Sequence, residues 1–181
     1  MAKLRKMLGS LDDPNIVSLM SLIETQSKTT LANWAITYAE DNFLNIYEKN
    51  YSDDLRLRNI VSASKEYLNG TKKLNEVKSL IKEGNVVARS LEENPVAQVA
   101  CRAIVTACGT INTPTNALGF TFYGAAAIVY DKCGLSESSK IYDELASKEL
   151  EKMLVSLEKL LSLTKKTLRK LSGIAEYTSN L

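Results

Sequence analysis

The polar side chains with the most unusual setting in this 181-residue chain are Thr110, Asn112, Thr113, Thr115 and Asn116, in the middle of a 94–134 stretch that is otherwise small and apolar. Groups of that kind cost free energy in apolar surroundings unless they find partners. Asn112 and Asn116 are four apart and would share a face if a helix ran through Pro114; with Thr110, Thr113 and Thr115 they could then line a small polar pocket. The favoured expectation is a buried cap network that satisfies the backbone groups a proline sets free. Amides and hydroxyls are not competent bases at neutral pH, so a pocket here would bind rather than catalyse.

The other candidates are charged. Arg56 and Arg58 follow Asp53 and Asp54 and could be offered to a carboxylate or phosphate. Two residues apart on a helix they point about 200° from each other, so a helix start, with aspartate capping free amides, is the favoured account. Glu24, Glu40, Asp41 and Asp131 lie near apolar stripes and could do acid–base work or hold magnesium. Histidine is absent, which removes imidazole triads, the commonest metal ligand and the Glu-x-x-His pattern of helical di-metal sites. No phosphate loop, dinucleotide fingerprint, Cys-x-x-Cys or nucleophile elbow is present. The residues therefore name no catalytic group, no metal site and no cofactor. Cys101 and Cys108 would lie roughly 10 Å apart on one helix, beyond the reach of a disulfide; with Cys133 they are expected to be reduced, small core residues.

The elements that must position these groups are helices. Asp12 and Asp13 before Pro14, and Asn94 before Pro95, are cap-plus-proline starts. Further starts are expected near Thr29 or Thr30 and at Asp53 or Asp54, and stops at Gly70 and Gly134. Gly84 is a weak point inside a fourth helix. Val96, Val99, Ala100, Ala103, Ile104, Ala107 and Ile111 have the spacing of a buried helix, after which Thr113 and Pro114 either restart or kink the chain. The string from Phe120 to Tyr130, rich in glycine and alanine, is expected to allow close helix packing rather than a ligand slot. Leu150, Leu154, Leu157, Leu161, Thr164, Leu168 and Leu171 alternate four and three apart, a heptad seam. Packing along the bundle is favoured for it over a homodimer through the C-terminal helix. No strand alternation is seen. The expected fold is all-α: one helical domain over 1–181, a bundle of about six to seven helices, with a long C-terminal helix over 139–171 and a frayed tail over 173–181.

Composition is that of an ordinary globular chain, 45% apolar and 24% charged, with a net charge of +2. That balance gives no case for nucleic acid or an anionic membrane as partner. The basic N-terminus lacks the apolar core of a signal peptide, and no apolar run reaches the ~18–20 residues of a membrane span. A soluble, cytoplasmic protein is expected.

The order of motifs is also familiar. LIETQSKTTLANWAITYAE, YSDDLRLRNIVSASKEYLNG and NPVAQVACRAIVTACGTINTPTNALGFTFYGAAAIVYDKCG resemble the putative immunity protein family (immunity-5-like) of bacterial polymorphic toxin systems. The resemblance runs from about Asp13 to Lys148, and Pro114-Thr115 to Ala117-Leu118-Gly119 is its most specific string. It implies a helical, non-catalytic protein that binds and neutralises a cognate toxin. The resemblance also implies histidines, in many members, where Asn112 and Asn116 stand, so any metal or proton chemistry of those histidines is missing here. The alternative function is a small-ligand or metal-dependent helical enzyme whose carboxylates, from Glu24, Glu40 or Asp131, face the Asn112/Asn116 pocket.

Overall fold

In the computed structural model, residues 4–179 are described, with side chains described to residue 169. Seven helices and no strand occur among them: α1 (Pro14–Glu24), α2 (Lys28–Glu48), α3 (Arg56–Leu68), α4 (Leu74–Ser90), α5 (Pro95–Gly109), α6 (Asn116–Cys133) and α7 (Ser139–Ser179). The fold is all-α, as the spacing of apolar residues predicts.

Most boundaries follow from local chemistry. Asp13 accepts from the Asn15 amide at 2.8 Å ahead of Pro14, and Asn94 accepts from the Ala97 amide at 3.1 Å ahead of Pro95. Ser27 caps α2 through the Thr30 amide. Gly70 and Gly134 both take a φ of +77°, a conformation that favours glycine, just beyond α3 and α6. The start of α3 falls at Arg56 rather than at Asp53 or Asp54, because Asp54 sits outside the helix and accepts from the Arg56 amide at 3.1 Å.

The α5–α6 hairpin forms the centre. Both helices are buried nearly all round, α6 with Phe120, Ala125, Ala126, Ala127, Val129 and Tyr130 inside. Helix α2 packs across both members, α3 and α4 cover one flank of α5, and α1 and α7 cover α6. Small residues permit this density: the Phe43 ring of α2 lies against the Gly124 backbone of α6, where a β-carbon would overlap it. Gly84, inside α4 as expected, is also an interface, since its face of the helix meets Val105 and Ile60. The N-terminal segment is strapped down by Leu8, whose amide donates to the Phe122 carbonyl at 3.2 Å, and by the Tyr130 hydroxyl, which donates to the Arg5 carbonyl at 2.7 Å.

The heptad seam of α7 divides in two. Leu150, Leu154 and Leu157 are buried in the protein's own core, which assigns that half to the bundle; Leu161 is half-buried, and Thr164 and Leu168 are exposed. A dimer seam running from Leu154 is thereby excluded for its first half. The helix continues past Leu171 to Ser179. Of the tail expected to fray, the backbone of 173–179 is helical, while 180–181 and the side chains from 170 onward, Leu171 included, lie outside the described residues.

Candidate functional site

The polar string of the hairpin is not buried. Helix α5 ends at Gly109, α6 starts at Asn116, and the residues between form a surface turn in which the Asn112 and Thr113 amides donate to the Gly109 carbonyl at 3.1 and 3.0 Å. Asn112, Thr113 and Thr115 are exposed and Asn116 is half-buried, its amide group leaning over Gly109. Pro114 restarts the helix instead of kinking it, so Asn112 and Asn116 share no helix face. Both the buried cap network and the pocket are corrected by this: a connection between two buried helices crosses the end of the bundle, where backbone polar groups reach water. Thr110 alone of the string is fully buried, and its hydroxyl has no hydrogen-bond partner among the described residues.

Most of the charged candidates are spoken for individually. Arg56 grips Asp54 with two bonds, Nε to Oδ1 at 2.9 Å and Nη2 to Oδ2 at 2.6 Å, and the Tyr47 hydroxyl donates to the same carboxylate at 2.6 Å. The Arg56 bond, above all, holds the Asp54 carboxyl well below the usual range, and burial raises Tyr47 above the usual phenol. Arg58 turns away to Glu48 at 2.8–3.0 Å. Glu40 pairs with Lys65, Asp131 with Lys49 at 2.6 Å, and Glu24 and Asp41 are exposed. The carboxylates of the enzyme alternative are thus dispersed, and among the described residues none of them is hydrogen-bonded to Asn112 or Asn116. Among the described residues no group of three or more Asp, Glu or Cys side chains could hold a metal ion. Burial pushes the Cys101 and Cys108 thiols up to about 12, which suits the expected inert core residues.

The structure instead builds grooves on both sides of α7. The larger, 580 Å³, lies between α2 and α7. Along α2, Thr30, Asn33, Thr37 and Asp41 recur at helical spacing and form one wall, while Trp34 and Tyr38 turn in beneath them. Trp34 is held from two directions. Its ring meets Phe120 of α6 edge-on at 5.0 Å, and its Nε1 donates to the Ser156 hydroxyl of α7 at 2.8 Å, which in turn donates to the Met153 carbonyl. Tyr38 packs against Phe43 and Phe120 at 5.8 and 6.4 Å. Burial, aided by the nearby Glu149 charge, pushes its phenol up to about 12, so it stays a protonated donor at neutral pH. The α7 wall carries Lys159, Leu160, Leu163 and Thr164. On the opposite side of α7 a 360 Å³ groove has Leu22 of α1 and Leu161 as its apolar part, with Lys165, Lys166 and Arg169 above it.

Beneath the larger groove, Glu149 anchors α7 to α6. It is 6% exposed and accepts from Lys132 at 2.8 Å and Lys152 at 2.9 Å. Burial alone would raise its pKa, but the two lysine bonds outweigh it and hold the carboxyl below the usual range. Taken together, the grooves offer fixed aromatic edges, hydroxyls, amides and lysines over apolar floors. None of the sequence candidates lines either groove except Asp41. The missed signals were the period of Thr30, Asn33, Thr37 and Asp41, and the run of cations after Leu161.

Among the described residues, no helix is long and apolar enough to cross a membrane. The sequence matches the family described as Imm-5 like putative immunity protein over residues 21–156, which takes in α2 to α6 whole, the last turn of α1 and the buried half of α7. No curated protein and no solved structure matches the chain.

Proposed function

Because the chain belongs to the Imm-5 like putative immunity protein family, we propose that it binds a cognate toxin in the cytoplasm and neutralises it by occluding a functional surface, with no chemical step of its own. The family match over 21–156 is the observation that carries this. The site chemistry supports it: the carboxylates of the enzyme alternative sit in separate ion pairs or in solvent, and the 580 Å³ concavity between α2 and α7 is a groove of rigid aromatic edges and hydroxyls. A rigid frame also suits the role, since an inhibitor that is ordered before binding loses less entropy on association.

The test is co-expression with the toxin encoded beside this gene. Growth is rescued and the two proteins co-purify. A toxin that kills equally with and without this chain, and that forms no complex with it, would overturn the proposal.

A further inference from the structure

Helix α7 outruns the bundle that supports it. Leu157 is its last fully buried residue, Leu160 and Leu161 are half-buried, and every residue from Ser162 to Arg169 is exposed, yet the helix continues to Ser179. Exposed helix of this kind is marginal in water without something to pack against. The projecting part is neither apolar all round nor evenly charged. Leu163 and Leu168 are exposed at 53% and 60%, between cations. From 158 to 169 the only acid is Glu158, against Lys159, Lys165, Lys166 and Arg169, so this run holds a larger positive excess than the +2 of the whole chain. Lys159, Lys165 and Lys166, like Lys78 and Lys82 of α4, take part in no ion pair among the described residues, but here they stand together beside exposed leucines. Both grooves that flank α7 open at this end, and lysine stands over an apolar floor in each.

We propose that the exposed continuation of α7, with the groove on either side of it, is one docking surface, and that its occupant is an acidic segment of the neutralised protein carrying apolar side chains between its carboxylates. The proposal rests on the immunity reading above and specifies its contact face. Charge decides the occupant. A second copy of this chain, paired through α7, would set Lys165, Lys166 and Arg169 against their own images, and Thr164 would stand where the seam needs a leucine. Nucleic acid, whose backbone brings charge but no apolar side chains, would leave Leu163 and Leu168 uncovered between the cations. An acidic, partly apolar protein segment satisfies both the lysines and the floors, and its charge also steers the encounter.

The experiment uses the full chain and the toxin encoded beside its gene, with affinity measured by calorimetry at low and high salt. Lys165→Glu/Lys166→Glu is compared with Lys78→Glu/Lys82→Glu, a reversal of the same size at two exposed positions on α4. Thermal melts check that both variants fold. The α7 reversal is expected to weaken the complex about tenfold or more and to flatten its salt dependence, while the α4 reversal stays within about twofold of the wild type. If the wild-type complex forms and the α7 reversal leaves its affinity within that same margin, the docking surface is wrong while the immunity reading stands. If the wild type forms no complex and gives no rescue, both fall. Equal sensitivity of wild-type binding to duplex DNA, or of self-association in sedimentation, to the α7 reversal would overturn the choice of occupant.

Discussion

Removal of the Asp54 carboxylate should be among the costlier single changes in a loop of this protein. Asp54 is three things at once: acceptor for the Tyr47 hydroxyl at 2.6 Å, two-point partner of Arg56, and cap for the first amide of α3 at 3.1 Å. Its side chain is 18% exposed, and Tyr47 is fully buried, so Asp54→Ala strands a phenol hydroxyl at the edge of the core. A hydrogen bond to a charged acceptor is worth about 1.5–3 kcal/mol, and loss of a cap costs about 1 kcal/mol. The Arg56 guanidinium is 57% exposed, so its ion pair adds only a few tenths. These do not sum fully, and a loss of about 3 kcal/mol is expected, which for a chain of this size lowers Tm by roughly 6–12 °C. Urea titration followed by circular dichroism reads the difference. Tyr47→Phe keeps the ring and should lose about half as much, and the two changes should be less than additive because they remove one bond between them. The pH dependence carries a sign. Asp54 has its pKa lowered by folding, so its stabilisation is complete above the ordinary aspartate range and is lost as pH falls through about 4 and below. Asp54→Asn should therefore flatten the acid limb of the stability curve. A cost under about 1 kcal/mol for Asp54→Ala, or strict additivity with Tyr47→Phe, would refute the three-way arrangement.

Three further outcomes are expected. Gly124→Ala, whose β-carbon would enter the buried Phe43 ring, should destabilise by about 2–3 kcal/mol, whereas Gly119→Ala, with only Thr106 at 3.5 Å, should be neutral or stabilise by up to about 1 kcal/mol; thermal melts give the opposite signs. A thiol reagent at mild alkaline pH should leave Cys101 and Cys108 unmodified in the folded protein and modify all three cysteines in urea, as mass spectrometry of the peptides would show. Asn112→Ala should change stability by less than about 0.5 kcal/mol, because the residue is exposed and its side chain reaches only Thr113; a loss above 1 kcal/mol would restore the buried network.

The sequence by itself determined where several helices begin and end, though not the start of α3 or the end of α7. Asp13–Pro14, Asn94–Pro95, Gly70 and Gly134 act within four or five residues, so their chemistry is local and can be read without the fold. It also determined that the 94–134 stretch is central, since no solvated surface could carry α5 and α6, and the order of motifs gave the family. It misplaced the polar string because composition reports a segment's average surroundings, while burial is decided residue by residue: Thr110 is enclosed and Asn112, two positions later, is exposed at the turn. Gly84 was equally illegible, since its reason lies in Val105 and Ile60 on other helices. Only the tertiary structure decided that α2 and α7 face each other, bringing Trp34 within hydrogen-bonding distance of Ser156 across more than a hundred residues of chain. And only it divided one continuous heptad seam into a buried half and a projecting, cationic half. The leucine spacing is the same in both, but the bundle ends at Leu161, and the length of the neighbouring helices fixes which leucines they can cover.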